Sequence, residues 1–422
     1  MALAPIIESV LGTDLPVAVR AYDGSAVGPP DPPATIDVRS PNALRRIITS
    51  PGELGFARAY VAGDLDLEGD IFAGLALRDR LPNVKLHPQH LLAVARQLGW
   101  RNMRPLPPPP EEARLHGRRH SVARDRAAIA HHYDVSNDFY RLFLGPSLTY
   151  SCAVFSNDDM SLEDAQASKY ELVSRKLDLQ PGMRLLDVGC GWGGMVMHAA
   201  QAHDVSAVGI TVSSRQVELA SKRVAEAGLA DRVSIRSQDY RLVTDGPFDA
   251  ISSIGMFEHV GEARLAEYFS KLYDLLPPGG RLLNHGISRP PGPDGKVRAK
   301  FKRGGFIDRY VFPDGELHEI GRVVSIVQQA GFEVRHVESL REHYAKTLRH
   351  WVANLEARWD EAVELVGQPR ARIWRLYMAG SAVNFEANRT QIHQVLAVKP
   401  DNARSGMPLR PKWDNTPLTS AG

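Results

Sequence analysis

Leu185-Leu186-Asp187-Val188-Gly189-Cys190-Gly191-Trp192-Gly193-Gly194 is the stretch on which the fold turns. Its first four residues are mostly apolar and read as the end of a buried strand. Four glycines follow within six residues, and a helical pattern begins near Met195. Glycines let a backbone turn sharply and let a ligand approach without interference from Cβ. In a parallel α/β sheet such a turn lies at the carboxyl end of a strand, where ligands bind. The same rhythm continues outward. Short apolar runs at 184–188, 207–210, 233–237, 250–254 and 281–284 alternate with helical spacing, for example over 214–227. That alternation predicts an α/β, Rossmann-like domain, with a parallel sheet covered by helices on both faces.

The turn reads as a nucleotide-type site. A dinucleotide fingerprint needs an acid about 20 residues on, at the end of the second strand. That position reads Val208-Gly209-Ile210-Thr211-Val212-Ser213 and holds no carboxylate. A Gly-Lys-Ser/Thr phosphate loop is also missing. The D-x-G-x-G-x-G form, with Asp187 at the strand end, instead resembles motif I of class I methyltransferases that use S-adenosylmethionine. The resemblance implies that Gly189, Gly191 and Gly193 receive the aminocarboxypropyl arm and ribose. Thr211 and Gln216 would offer ribose contacts. Gln238, Asp239 and Tyr240, after the third strand, would hold adenine; Asp239 reads equally well as a turn-capping residue.

Composition narrows the classes. The chain has 422 residues, 43% hydrophobic and 24% charged, which fits an ordinary folded protein of two or three domains. A net charge of +2 is less basic than a protein coated in nucleic acid usually carries. The two cysteines, Cys152 and Cys190, exclude a disulfide framework and a four-cysteine zinc site, and suit a reducing cytoplasm. Adjacent His131 and His132 lack the i, i+4 spacing of a helical zinc site, so no metal is expected. Residues 1–12 have no basic region of the signal-peptide kind. No run approaches the roughly 20 apolar residues of a membrane span.

Residues 1–104 read as a smaller α+β domain. Alternation over 17–22 leads into Asp23-Gly24, a hairpin turn; 36–39 reads as a strand, and Pro41 opens a helix with Leu44, Ile47 and Ile48 on one face. Leu65 and Leu67 alternate with polar residues. Pro105-Leu106-Pro107-Pro108-Pro109-Pro110 favours extended polyproline geometry and marks a linker over 105–122. Arg114, Arg118, Arg119, Arg124 and Arg126 follow it. Residues 123–400 form the main domain, and 401–422 read as a flexible polar tail.

Further motifs surround the glycine turn. They are His132-Tyr133-Asp134-Val135-Ser136-Asn137-Asp138-Phe139-Tyr140, Leu148-Thr149-Tyr150-Ser151-Cys152-Ala153, Gly255-Met256-Phe257-Glu258-His259-Val260-Gly261, and Tyr310-Val311-Phe312-Pro313-Asp314-Gly315. In this order they resemble the cyclopropane-fatty-acyl-phospholipid synthase family, over 123–398. The N-terminal domain is similar in placement to a sterol-carrier-like lipid-binding module of its longer bacterial members. The resemblance implies methyl transfer from S-adenosylmethionine to a cis double bond in a phospholipid acyl chain. It implies a bound bicarbonate ion as base, held by Cys152, Glu258, His285, Ile287 and Tyr344, with Tyr150 and Ser151 beside the cofactor.

The chemistry explains such a site. An alkene attacking a sulfonium methyl becomes a carbocation, so water must be excluded, and aromatic faces can stabilise the charge. A proton lost from the new methyl group closes a cyclopropane ring. A different proton lost gives a methylene- or methyl-branched chain, and Glu258 with His285 favours the ring. Taken singly, Cys152 reads as a buried small hydrophobe, and Glu258 and His285 as a structural pair. A non-catalytic lipid carrier is the distant alternative, and a nicotinamide dehydrogenase is disfavoured by the missing acid.

Lys296, Arg298, Lys300, Lys302 and Arg303, with Phe301 and Phe306 interleaved, form a second basic cluster. Together with 114–126 it predicts docking on anionic headgroups, not on nucleic acid. The expected protein is cytoplasmic and peripherally associated with the inner face of the membrane; the resemblance implies a homodimer.

Overall fold

A computed structural model describes residues 2–12, 14–77, 104–113, 136–291, 304–313, 315–411 and 413. Both basic clusters (except Phe306), the His131-His132 pair and the 132–135 part of the first motif lie outside these residues. The chain divides into two compact units.

The first unit comprises Met1–Arg114, Lys302–Pro313 and Leu355–Val383. Strands β1 (Ala18–Ala21), β2 (Ala26–Val27), β3 (Ala34–Val38) and β4 (Leu65–Gly69) form a sheet in the order β2-β1-β3-β4. The Asp23-Gly24 turn joins antiparallel β1 and β2, whereas β1 and β3 run parallel. Ser40 accepts a hydrogen bond from the Asn42 N–H and so caps the helix Pro41–Thr49, with proline in the first turn where its missing N–H does no harm.

Segments from far along the chain complete this unit. Arg372, only 3% exposed, donates to the Tyr60 carbonyl at 2.9 Å and to Asp66 Oδ2 at 2.6 Å. Arg375 reaches the Tyr60 hydroxyl at 3.1 Å and the Leu67 carbonyl at 3.0 Å. Glu112, just past the proline run, is gripped by Arg58 at 2.9 and 2.8 Å and accepts from the Tyr310 hydroxyl at 3.2 Å. Buried charges are tolerable only when paired in this way. Phe306, expected at a lipid surface, is instead buried and packs on Tyr310; covering its ring removes apolar area from water.

The second unit comprises Leu115–Phe301, Asp314–Asn354 and Asn384–Gly422. Its strands are β5 (Arg184–Val188), β6 (Ser206–Thr211), β7 (Val233–Ser237), β8 (Ala250–Ile254), β9 (Arg281–Ser288), β10 (Glu333–Ser339) and β11 (Gln391–Val398), in the order β10-β11-β9-β8-β5-β6-β7. β5 to β9 are parallel; β11 is antiparallel to β9 and to β10. The parallel strands stand where the alternation predicted them. β9 runs four residues further, because β11 pairs with it from Arg281↔Val398 to Ser288↔Gln391.

Alternate residues of β5 enter different cores. Leu185 packs with Met195, Val196 and Ala199; Leu186 and Val188 pack with Tyr268, Phe269 and Val323. Burial on both faces is what a parallel sheet requires. Strand order reverses between β6 and β8 around β5, which opens a crevice at the carboxyl ends. Trp413 packs on His336.

Candidate active site

The crevice is a cleft of about 1330 Å³, counting the space at its open mouth. Its floor is the glycine turn. Gly189, Gly191 and Gly193 have φ of 81°, 54° and 84°, a left-handed region that residues with a Cβ rarely adopt. The Gly189 and Cys190 N–H groups donate to the Ile210 carbonyl at 2.9 and 3.0 Å, which ties the turn to β6. Trp192 Nε1 donates to Asn137 Oδ1 at 3.0 Å. A Cβ added at Gly191 or Gly255 would meet no atom within 4 Å. Both residues line the cleft, so the backbone there is open to a ligand.

Tyr150, Ser151, Asp187, Gly189, Gly191, Thr211, Gln216, Gln238, Asp239 and Tyr240 all line this cleft. Gly193 does not line it; it is the N-cap of the helix Gly194–His203. The Thr211 hydroxyl donates to Gln216 Oε1 at 2.7 Å. Asp239 is the turn-capping residue of one sequence reading, at a place open to the other. It lies on the cleft wall, and it accepts from the Arg241 N–H at 3.0 Å to cap a short turn.

Asp187 is buried and accepts from the Ser252 hydroxyl at 2.6 Å. Burial pushes its carboxyl up to about 6. Lys169 faces the same region. It donates to Ser151 Oγ at 2.9 Å and lies 3.8 Å from the centre of the Tyr170 ring. Loss of hydration lowers its amine to about 7. Lys169 and Lys176 are both buried on the helix Leu162–Leu177, which carries Ser161 as its cap.

The five residues assigned to the base site are buried or part-buried in this same unit. Glu258 Oε1 accepts the Ile287 N–H at 2.6 Å, whereas its Oε2 is buried and has no hydrogen-bond partner among the described residues. Burial raises the Glu258 carboxyl to about 7. His285 Nδ1 meets Gln394 Nε2 at 3.0 Å, and its Nε2 is also buried, with no partner among the described residues. Burial pushes His285 well below the usual imidazole range, so the ring is neutral. The Ile287 N–H is committed to Glu258. Gly286 between them is obligatory, since a Cβ there would stand 1.9 Å from the Phe257 ring.

Cys152 is fully buried and directs its thiol at the Ala153 and Leu340 carbonyls, 3.2 and 3.7 Å away. Burial drives its pKa far up, so it is a neutral thiol and not a nucleophile. Tyr344 packs on Phe385 at 4.8 Å and edge-on to Trp351 at 6.0 Å. Trp351 in turn stacks on Tyr150 at 5.4 Å. An aromatic wall thus runs from Tyr344 to the cofactor cleft. Met256 and His259, which flank Glu258 in sequence, lie on the cleft itself.

The cleft fits S-adenosylmethionine in its donor set and its exposed glycine backbone. The unpartnered Glu258 Oε2 and His285 Nε2 fit a small oxyanion. The sequence reading missed Lys169, Lys176 and Gln394. For the lysines a sign existed: Leu162, Lys169 and Lys176 are seven apart and share one helical face with buried Ala165 and Leu172.

Comparison with known proteins agrees with this geometry. Residues 120–395 match the family described as mycolic acid cyclopropane synthetase. A probable fatty acid methyltransferase of Mycobacterium tuberculosis is 47% identical over 98% of both chains. Cyclopropane mycolic acid synthase 1 of the same organism is 40% identical, covering 65% of this chain and 97% of its own. The crystal structure of mycolic acid cyclopropane synthase CmaA1 with SAH and CTAB superposes with a TM-score of 0.61 at 38% identity, over 65% of this chain and 98% of that one. With a glycine-turn cleft in a seven-stranded sheet and this match across most of its length, the chain belongs to the mycolic acid cyclopropane synthetase family of S-adenosylmethionine-dependent methyltransferases acting on lipids.

Proposed function

We propose that the enzyme methylates the cis double bond of an unsaturated phospholipid acyl chain and forms a cyclopropane ring, with bicarbonate as the base. The observation that carries this reading is the pair of buried, unpartnered atoms, Glu258 Oε2 and His285 Nε2. Buried polar atoms without partners are uncommon in native proteins, and a bound ion is one thing that satisfies them. S-adenosylmethionine, when bound, supplies an electrophilic methyl group, and bicarbonate a weak base that needs no protein carboxylate at the reacting carbon. Glu258 and His285 would hold the anion, with Cys152 and Tyr344 closing the pocket. The Ile287 N–H acts through Glu258, whose carboxyl it orients. The aromatic wall of Tyr150, Trp351 and Tyr344 excludes water and offers π-faces to a substrate carbocation.

Labelled S-adenosylmethionine and a phospholipid with a cis-unsaturated chain test the reading, with products analysed by mass spectrometry and NMR. Ring protons are expected. No methyl transfer would sink the proposal, and a methylene signal without ring protons would select the branched-chain product. That second reading has one observation in its favour: the two relatives matched along nearly the whole of this chain are named probable fatty acid methyltransferases.

Among the described residues no helix is long and apolar enough to cross a membrane. We propose peripheral binding at the inner membrane face through the clusters at 114–126 and 296–303. Vesicle binding should rise with anionic lipid and fall with salt. Equal binding to neutral and anionic vesicles at low salt would rule this out.

A further inference from the structure

His285 belongs to a row of polar side chains that crosses the sheet. Register pairs His285 on β9 with Gln394 on β11, and Gln394 with Glu338 on β10. Lys176, from the helix Leu162–Leu177, closes the row. Its ammonium donates to Gln394 Oε1 at 2.7 Å and pairs with part-exposed Glu338. Lys176, Gln394 and His285 are essentially inaccessible to water. Polar groups this deep are costly unless each bond is made with the right sense.

The sense of each bond is forced. A lysine ammonium has donors and no acceptor. The atom of Gln394 that faces it is therefore the oxygen, and the amide NH2 faces the imidazole. His285 Nδ1 accepts that N–H at 3.0 Å. A neutral imidazole that accepts at one nitrogen carries its proton on the other. That other nitrogen is Nε2, the atom without a partner among the described residues.

We infer that Lys176 and Gln394 are positioning residues that hold His285 in its Nε2–H tautomer, so that it meets a bound anion as a hydrogen-bond donor and not as a base. The inference rests on the bicarbonate reading of the site and adds how that site is kept in the right protonation pattern. The other groups felt at His285 are Lys169 and His393, and these, like Lys176, disfavour a charged ring. The row ends at Glu338, whose carboxylate pairs with the Lys176 amine.

The test is 15N NMR of histidine-labelled protein, with the His285 signal identified by its loss in His285→Asn. The wild-type ring should be Nε2–H between pH 6 and 8. An Nδ1–H ring or an imidazolium would overturn the inference. Gln394→Glu offers Nδ1 a carboxylate instead of an amide donor, so the proton should move to Nδ1. The bicarbonate KM should then rise about 10- to 100-fold, with S-adenosylhomocysteine affinity unchanged. An Nε2–H ring in that variant, or an unchanged bicarbonate KM with the proton moved, would also overturn it. Should the variant not fold, the wild-type spectrum still decides. An Nε2–H ring in an enzyme indifferent to bicarbonate would sink the bicarbonate reading while upholding the tautomer.

Discussion

Replacing Glu258 with glutamine should abolish turnover and yet make the protein harder to unfold. The Glu258 carboxyl is buried, with one oxygen on the Ile287 N–H and the other unpartnered. Its pKa stands at about 7 against 4.5 for an ordinary glutamate. That difference, about 2.5 units, disfavours the buried carboxylate by about 3 kcal/mol. The folded protein holds this proton more tightly than the unfolded chain does. Stability from the group is therefore full below pH 4.5, is lost as pH rises from 4.5 to 7, and stays lost above 7. Glutamine keeps the acceptor for Ile287 and cannot ionise. Its new NH2 lacks a partner, which costs about 1 kcal/mol. The net advantage of Glu258→Gln should be near zero at pH 5.5 and about 2 kcal/mol at pH 8. Urea unfolding at these pH values, followed by tryptophan fluorescence, measures it; Trp192 and Trp351 lie in the same unit as Glu258. A variant no more stable relative to wild type at pH 8 than at pH 5.5 would refute the reasoning.

Three further outcomes are expected. Lys169 loses its proton as pH rises through about 7, so S-adenosylhomocysteine, which carries a carboxylate, should bind more weakly at pH 8 than at pH 6; calorimetry should show a shallower slope in Lys169→Met, with the remainder from Asp187 at about 6, and a flat wild-type profile would contradict it. Gly286→Ala puts a methyl group into the Phe257 ring and should cost about 1–3 kcal/mol of stability along with turnover; an unchanged melting temperature would show that the ring moves freely. Arg372→Ala takes its donor from the Tyr60 carbonyl and leaves Asp66 with Arg39 as its remaining cation, and should cost about 1–3 kcal/mol, seen as faster proteolysis of the first unit; unchanged protease resistance would deny Arg372 its structural part.

What the chain spells out locally was legible in it. The strand-turn-helix at 185–194 states its own geometry, since only glycine suits the backbone at 189, 191 and 193. The parallel strands announce themselves as short apolar runs. Legibility fails where partners come from a distance. The end of β9 carries His285 and Gly286, which look like a loop, and only pairing with β11 makes it a strand. Gln394 looks like any polar strand residue until register sets it beside His285. Lys169 and Lys176 suggest a solvated face by composition, and only their seven-residue spacing hints at the interior. Arg372 and Asp66 have no local pattern that joins them. Asp239 taught the opposite lesson: its two sequence readings are compatible.

The interleaving of the first unit has a consequence for how the protein is made. Arg372 leaves the ribosome 306 residues after Asp66, the carboxylate it neutralises. At roughly 5–20 residues per second, the N-terminal sheet waits on the order of 15–60 s for the helix that completes it. Throughout that interval the parallel strands β5 to β9 and then β10 are synthesised, whereas β11 follows only after Arg372. The N-terminal part is thus the first translated and is completed only near the end of synthesis, and a fragment cut at the proline run would be left in its unfinished state.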